Sequence, residues 1–401
     1  MRPTWVLLLF SLLSPLAAAQ NAAPEEGNPL LAPEFVARLD RETSSRLVGG
    51  NGFELLTDAK ASLARKRELV EAAKNRVYLS TLILFGHADR ETRELVDALL
   101  AKARAGVRVH VVIDGLGSLL DPLTPARLER AGARIAYFNS PTRDDDDIPL
   151  AVRSHEKFLV IDDRAAVIGG ANTVNEEFPF LPVSGFEWKD TDLYVEGPAA
   201  AEIARRFVAA WNAIPGPIAL EAPPAPEAAP TPPGDAGACR LLVNEPFRGE
   251  KHINAAYKML LARASRRVVW QGNWLDPSPD MAEALEGAAA RGVEVILLTN
   301  SGRLSSYLSG PYHEYLLRRN RRLFEGSGVQ VREYTGGFDH SKVFLVDGTV
   351  ASIGSYNHDW MSMENDSEST LLVHDSDLVK EVEARAEEAI RASRPFLSKG
   401  K

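Results

Sequence analysis

The chain has 401 residues, of which 45% are hydrophobic and 25% are charged, an ordinary composition for a globular protein with room for two domain-sized cores. Its formal net charge of -9 gives no overall attraction to nucleic acid or anionic lipid, which argues mildly against a nuclease. The only cysteine is Cys239, which excludes any intrachain disulfide.

The first 19 residues have the pattern of a secretory signal peptide. Arg2 precedes an apolar stretch at positions 5–13, and three alanines at 17–19 provide the small residues of a cleavage site. The apolar stretch is short for a membrane span, so we expect cleavage rather than an uncleaved anchor. The sequence therefore predicts a periplasmic or secreted protein that acts peripherally at a membrane. Residues 20–30 are predicted to form a disordered leader.

Residues 31–214 are predicted to form a first α/β domain, because strand and helix patterns alternate along them. The predicted elements are strand 77–84, helix 91–105, strand 107–113, helix 125–131, strand 133–138 and, after a motif described below, helix 199–211.

A proline- and alanine-rich linker is predicted at residues 215–238. Eight prolines in this stretch exclude a packed core, so we expect extended chain. They are Pro215, Pro217, Pro223, Pro224, Pro226, Pro230, Pro232 and Pro233.

Residues 239–394 are predicted to repeat the order of the first domain, and residues 395–401 form a tail. The predicted elements are strand 268–272, helix 279–290, strand 293–298, helix 312–325 and strand 329–334. Because the order of elements recurs, the fold class is α/β with two pseudo-symmetric domains.

The two halves share one motif, repeated 185 residues apart with the same spacing at every step. The first copy is His155-Glu156-Lys157, four apolar residues, Asp162, six residues and Gly169-Gly170-Ala171-Asn172. The second copy is His340-Ser341-Lys342, four apolar residues, Asp347, six residues and Gly354-Ser355-Tyr356-Asn357. Two copies in register make chance a poor explanation.

The motif places a histidine and a lysine on one face of a strand. Residues 158–161 and 343–346 read as short buried strands, and residues 165–168 and 350–353 read as their return strands. Side chains alternate along a strand, so His and Lys two positions apart point the same way. Gly170 and Ser355 are predicted to turn the backbone tightly and lie against substrate, bringing each Asn near the His-Lys face.

Two such sets facing each other suit cleavage of a phosphodiester. Lys157, Lys342, Asn172 and Asn357 would hold the non-bridging oxygens while one imidazole attacks phosphorus and the other protonates the leaving oxygen. A histidine nucleophile needs an acceptor for its second ring nitrogen, and two acids begin later strands of the two halves. These acids are Asp190 and Glu368. Asp162 and Asp347 are predicted to bond nearby backbone or lysine at turns, with less direct roles.

The chain resembles the phospholipase D superfamily and, within it, the bacterial cardiolipin-synthase-like branch. Besides the paired motifs, the resemblance rests on 188–191 with 195–198, and on 353–357 with Ser362 and Glu368. It covers about residues 70–390. It implies two phospholipase D-like α/β sandwich domains with the active site at their interface, and a ping-pong reaction through a phosphohistidine without metal. It also favours His155 as the nucleophile and His340 as the acid.

Two features depart from this resemblance. The synthases of the branch begin with two membrane-spanning helices that are not expected in this sequence. An Arg-Ser pair of the family stands as Met361-Ser362 here. These departures bear on the substrate and the acceptor, water or alcohol, more than on the chemistry.

The favoured function is phosphatidyl transfer or phospholipid hydrolysis at a membrane surface, with no cofactor, no metal and no obligate protein partner. One alternative is a nuclease or another phosphodiesterase with a non-lipid substrate, and another is a lipid-binding module that has lost catalysis. The other histidines lack metal-ligand spacing. The acidic run Asp144–Asp147 is more often a solvated loop than a cation site, although its position before the first motif is also suited to a gate.

Overall fold

A computed structural model of the chain describes residues 29–142, 148–174, 188–227, 237–303 and 310–396. The predicted signal peptide, residues 20–28 of the predicted leader, the run Asp144–Asp147 and linker residues 228–236 lie outside the described residues. None of the described helices combines the length and apolarity needed to cross a membrane.

The first half forms a seven-stranded mixed sheet. Its strands are β1 (Gly52–Leu56), β2 (Arg76–Thr81), β3 (Arg108–Asp114), β4 (Arg134–Phe138), β5 (Phe158–Ile161), β6 (Ala165–Gly169) and β8 (Asp192–Glu196), and β7 (Trp188–Lys189) lies outside this sheet. Its helices are α1 (Pro33–Glu42), α2 (Ala59–Ala72), α3 (Arg90–Arg104), α4 (Leu123–Arg130) and α5 (Pro198–Ala213), with a 3-10 turn at Gly117–Leu119. The strand order is β1-β8-β6-β5-β2-β3-β4.

The second half forms a nine-stranded sheet of the same design. Its strands are β9 (Cys239–Glu245), β10 (Glu250–Lys251), β11 (Arg267–Gly272), β12 (Glu294–Asn300), β13 (Gln330–Tyr334), β15 (Lys342–Val346), β16 (Val350–Gly354), β17 (Glu368–Val373) and β18 (Ser393–Pro395), with β14 (Phe338–Asp339) outside it. Its helices are α6 (His252–Arg263), α7 (Pro279–Ala290), α8 (Gly310–Leu323), α9 (Trp360–Glu364) and α10 (Ser376–Arg391), with a 3-10 turn at Pro246–Arg248. The strand order is β10-β9-β17-β16-β15-β11-β12-β13-β18.

The two strand orders confirm the predicted duplication. Seven consecutive strands of the second sheet, from β9 to β13, repeat the order of the first sheet strand for strand, and β10 and β18 are additions at its edges. In both sheets the motif hairpin, β5-β6 or β15-β16, is antiparallel and lies next to the parallel strands. The predicted α/β class with two related units is therefore the observed fold.

The hydrophobic cores form layers because side chains alternate between the faces of each sheet. The inner faces of both sheets share one core with α5 and α10, to which Phe158 and Val343 contribute. The outer face of the first sheet packs on α2, α3 and α4, and the outer face of the second packs on α6 and α7. A shared inner core holds the halves together and fixes the position of one motif relative to the other.

The domain boundaries differ from the prediction at the amino-terminal end. Leu30, predicted to belong to a disordered leader, is fully buried, and Phe35 and Leu39 of α1 join it in the outer core of the second half. Helix α1 precedes the first sheet in the sequence but packs on α6 of the second half. The chain enters the first sheet only from β1 onward. The alternation of strands and helices along the sequence does not show which half a terminal helix packs on.

The described part of the linker, residues 215–227, contains no helix or strand and is hydrogen-bonded to α5. Trp211 Nε1 donates to Ile218 O at 3.0 Å, and Asn212 and Leu220 exchange two hydrogen bonds at 2.8 and 2.9 Å. Cys239, predicted to sit incidentally at the linker edge, is buried as the first residue of β9.

Candidate active site

Both motif histidines lie at the edge of their sheets where the parallel strands end. In the first half, β2, β3 and β4 end at this edge and the antiparallel strand β5 begins there, three residues after His155. In the second half, Lys342 opens β15 opposite Gly272, the last residue of β11. The motif spacing thus brings imidazole and ammonium to the loop edge of each sheet, where substrate can approach.

His155 is oriented by Glu368 of the other half. Its Nδ1 lies 2.9 Å from Glu368 Oε1, and Glu368 is completely buried at the start of β17. Ser355 and Ser362 also donate to this carboxylate. Burial raises the pKa of Glu368 to about 7 against the opposing effects of Lys157 and these hydroxyls.

His340 is oriented in the same way by Asp190 of the first half, since its Nδ1 lies 2.8 Å from Asp190 Oδ2. Burial would raise the pKa of Asp190, but the adjacent His340 and Lys342 outweigh it and hold the pKa below the ordinary value. Asp190 is therefore an ionised partner for its histidine.

Each histidine-carboxylate pair joins one half of the chain to the other, and a backbone hydrogen bond at each histidine does the same. His155 N donates to Ser367 O at 2.9 Å, and His340 N donates to Lys189 O at 2.7 Å. Strands β7 and β14, one from each half, form a separate parallel pair beside His340. Each half thus supplies a histidine to the carboxylate of the other, and neither pair exists in an isolated half.

The two lysines lie beside their histidines. Lys157 Nζ donates to His155 O at 2.8 Å, and Lys342 Nζ lies 2.9 Å from each ring nitrogen of His340. Both lysines are buried, which makes them fixed cations in a site of low polarity rather than solvated edge charges. The predicted placement of His and Lys on one face is therefore present in both halves.

The two motif asparagines are also buried, and their side-chain oxygens, Asn172 Oδ1 and Asn357 Oδ1, have no hydrogen-bond partner among the described residues. A buried acceptor without a partner is costly, and it is the Nδ2 group of each amide that can donate to a phosphate oxygen. Asn357 is held by its backbone N-H, which donates to Ser362 Oγ at 3.1 Å.

Gly170 and Ser355, predicted to lie against substrate, contact the orienting acids, and their contact with substrate stays a prediction. A Cβ on Gly170 would overlap the carboxylate of Asp190 and lie 3.2 Å from Lys342 Cδ. Ser355 is fully buried and donates to Glu368 and to Ser369 O. The small side chains of the turn therefore make room for a carboxylate. The sequence motif alone does not show whether a small residue makes room for a carboxylate or for a substrate.

Asp162 and Asp347, included among the catalytic motif residues, lie at the far end of their strands. Asp162 accepts hydrogen bonds from the backbone N-H groups of residues 74–76 at 2.8–2.9 Å. Asp347 accepts from those of residues 265–267 at 2.8 Å. Both have positive φ angles, 52° and 56°. They bond the motif hairpin to the start of the neighbouring strand. These contacts are the predicted bonds between a turn acid and nearby backbone.

A buried ion network links the motif to the other half on the side away from the histidines. Arg206 of α5 binds both oxygens of Glu156 at 2.8 Å and also Glu245 of β9 at 3.0 Å. Glu156 lies between His155 and Lys157, where the second motif has Ser341, and its partners were not apparent from the sequence. The network connects the Glu156 side chain of the first motif to Glu245 of the second sheet.

A group of acids near His155 was also missed. Asp114 accepts from Ser154 N at 3.0 Å and lies 3.3 Å from Arg153 Nη1, while Asp366 accepts from Arg153 N at 3.2 Å. Burial and the charge of Glu368 raise the pKa of Asp366 to about 8. The sequence signal was that Asp366 lies two residues before Glu368, because side chains two positions apart in extended chain point to the same side.

No group of three or more His, Cys, Asp or Glu side chains suited to a metal ion occurs within the described ranges. His358 follows Asn357 and packs on Trp270 and Tyr356, with ring centroids 4.5 and 4.9 Å away. Burial lowers the pKa of His358 well below its ordinary value, so it is a neutral packing residue beside the site.

Residues 67–211 and 257–390 match the family profile described as cardiolipin synthase, PLD-like domain. The chain is 28% identical over 311 residues to a probable cardiolipin synthase, YwiE, of Bacillus subtilis strain 168, covering 76% of this chain and 60% of the relative. It is 31% identical over 315 residues to a cardiolipin synthase of Halalkalibacterium halodurans, covering 77% of this chain and 60% of the relative. The chain therefore spans about 60% of the length of these two relatives.

A solved structure with the same fold is a phosphatidylserine synthase of Haemophilus influenzae Rd KW20. The TM-score is 0.69 at 15% sequence identity, and the match covers 90% of this chain and 92% of that chain. At this identity the likeness concerns the fold.

Proposed function

The chain belongs to the cardiolipin synthase, PLD-like domain family, and from this premise we propose that it transfers the phosphatidyl group of a phospholipid through a phosphohistidine. The observation that carries the proposal is the pair of crossed histidine-carboxylate contacts, each with a buried lysine beside it. The relatives are named cardiolipin synthases, so phosphatidylglycerol is the substrate to test first.

In the first step, His155 Nε2 attacks phosphorus and the bond to the headgroup oxygen breaks. His340 donates its proton to that oxygen, which leaves as an alcohol. Lys157 and Lys342 would stabilise the charge on the non-bridging oxygens. In the second step, His340 removes a proton from an acceptor hydroxyl, which attacks phosphorus and breaks the bond to His155.

The unequal surroundings of the two acids support this assignment of roles. The ionised Asp190 favours the protonated imidazolium of His340, which a general acid requires. Glu368, whose pKa burial raises to about 7, is less fully ionised at neutral pH and holds Nδ1 of His155, which leaves Nε2 to act as the nucleophile. The acceptor is a second lipid alcohol or water, and both give balanced reactions.

The test is incubation of purified protein with phosphatidylglycerol vesicles and, separately, with single-stranded DNA. The proposal predicts cardiolipin with free glycerol, or phosphatidic acid with free glycerol when water is the acceptor. His340→Ala is the inactive control. Cleavage of DNA without action on any phospholipid would favour a nuclease, and folded protein that binds lipid but turns over neither substrate would favour a silent binding module.

We further propose export to the periplasm or the medium, supported by the charged start, short apolar stretch and alanine run of residues 1–19. The intact mass of protein recovered outside the cytoplasm should correspond to a chain beginning at Gln20. Recovery with residues 1–19 still attached would contradict cleavage.

A further inference from the structure

Four leucines that follow the end of β3 are exposed to solvent. They are Leu116, Leu119, Leu120 and Leu123, with exposures between 40% and 65%. They lie in or beside the 3-10 turn Gly117–Leu119 and at the first residue of α4. Exposed leucines clustered in one short segment are unlike the scattered apolar residues of an ordinary surface and indicate an interaction site.

This leucine segment is held in place by two buried carboxylates. Asp114 accepts from Leu116 N and Gly117 N at 2.9 and 3.2 Å, and Asp121 accepts from Leu123 N at 3.1 Å. The leucines are therefore exposed on a turn whose backbone these hydrogen bonds hold in place.

Asp114 also connects the leucine segment to the candidate active site. Asp114 accepts a hydrogen bond from Ser154 N, the residue before His155, at 3.0 Å. The segment follows the end of β3, which is the edge where His155 lies. Leu150, also exposed, follows Pro149, whose carbonyl is bonded to Asn139 just after β4. Five exposed leucines therefore border the first motif.

The second half contributes exposed aromatic side chains at the corresponding edge. Tyr312, Tyr315 and Trp360 are each about half exposed. Trp274, two residues after β11, contacts Tyr312 with ring centroids 5.3 Å apart, and Trp360 follows Asn357 by three residues. Leucines on one side of the site and aromatic rings on the other form a rim around the paired motifs.

We propose that this rim is a docking surface for a phospholipid bilayer, with the leucines entering the acyl boundary and the Trp and Tyr rings lying among the headgroups. Leucine is suited to the apolar boundary, and Trp and Tyr carry a polar group on an apolar body, which suits the headgroup layer. The inference rests on the proposed function, because it is the phospholipid substrate that brings a bilayer to this edge.

Continuity with the site favours a bilayer over a second copy of the chain. The phosphodiester of a membrane lipid lies at the bilayer surface, so the edge that holds His155 and His340 must meet that surface for attack to occur. A second copy seated on the rim would cover the same edge. The rim therefore has the position and the chemistry that interfacial catalysis requires.

The first test compares turnover of vesicles with turnover of a soluble substrate. Vesicles are equal parts phosphatidylethanolamine and phosphatidylglycerol, and the soluble substrate is short-chain phosphatidylglycerol below its micelle concentration. The double variant Leu119→Ser with Leu123→Ser should lower the ratio of vesicle rate to soluble rate by about tenfold or more, because less apolar area enters the bilayer. Ile218→Ser, a change at a 71% exposed residue in the linker, should leave the ratio unchanged.

An unchanged ratio in the folded double variant would overturn the docking surface. If the wild-type protein turns over neither form of the lipid, the proposed function has failed. A readout that needs no turnover then decides the docking question.

That readout uses the burial of Cys239, the only cysteine in the chain. Leu119→Cys, labelled with an environment-sensitive dye, should gain emission when the same vesicles are added, and Ile218→Cys should not. Emission that stays flat, or that rises without vesicles as sedimentation shows self-association, would overturn the bilayer assignment. The flat result leaves the rim without a lipid role, and the second result assigns it to another copy of the chain.

Discussion

Glu368 and Asp190 occupy equivalent places in a pseudo-symmetric site, yet their surroundings affect them differently. Burial dominates at Glu368 and raises its pKa to about 7, whereas His340 and Lys342 dominate at Asp190 and lower its pKa. Pairs of titratable groups whose pKa values are moved apart are a mark of divided acid and base roles. This difference supports the proposed assignment of His155 as the nucleophile and His340 as the acid.

Removing the charge of either orienting acid should impair the reaction without preventing binding. Glu368→Gln should lower kcat by about 100-fold or more while KM stays nearly constant, because the imidazole loses its orienting acceptor and the stabilisation of its charged form. Asp190→Asn should behave similarly. The matched control is Glu381→Gln on exposed α10 surface. Wild-type rates in both site variants would refute the assignment of the acids.

The raised pKa of Glu368 predicts an acid limb in the activity. Glu368 takes up a proton as the pH falls through about 7, and the neutral carboxyl no longer stabilises a charged His155. Turnover should therefore rise as the pH increases through this value. A profile of kcat/KM against pH measures the limb, and the residual activity of Glu368→Gln should lack it. A limb that persists in that variant would have to come from another group.

The turn after β6 has to leave room for the carboxylate of Asp190. Gly170→Ala should displace Asp190, because the added Cβ would overlap its Oδ1. We expect a loss of turnover of about tenfold or more with the fold retained, as seen by circular dichroism. Gly52→Ala in β1 is the control, since a Cβ there meets nothing within 4 Å. Equal activity in the two variants would show that the close approach at Gly170 is unimportant.

The strands and helices near the motifs were predictable because their signals are local. Helix α7 begins and ends where the sequence predicts, and β17 begins at Glu368. The apolar runs after each histidine are the buried strands β5 and β15. Periodicity and turn residues within a short window are enough for elements of this kind.

Long-range pairings could not be predicted from those signals. Glu368 and Asp190 were chosen as acids from their positions, but the crossing of each to the other half depends on how the sheets dock. The exchange of α1 to the second core and the bonding of Ser355 to a carboxylate depend on it too. One sequence contains the residue types for these contacts but not the geometry that selects their partners.

With both motifs assembled in one site, we expect catalysis without a metal ion. The buried Lys157 and Lys342 already supply fixed positive charge for the phosphate oxygens. Activity on phosphatidylglycerol should therefore survive prolonged treatment with EDTA. Complete loss that added metal restores would contradict this prediction and direct attention to Asp144–Asp147, outside the described residues.

In the proposed reaction, one histidine carries the phosphatidyl group while the other transfers protons. The test is mass spectrometry of peptides from the protein mixed with phosphatidylglycerol and denatured at alkaline pH, because the phosphorus-nitrogen bond of a phosphohistidine hydrolyses in acid. We expect a phosphatidyl adduct on the His155 peptide of the wild-type protein and no adduct in folded His155→Ala. Adduct in His155→Ala with full turnover, or turnover in folded His340→Ala at the wild-type rate, would contradict it.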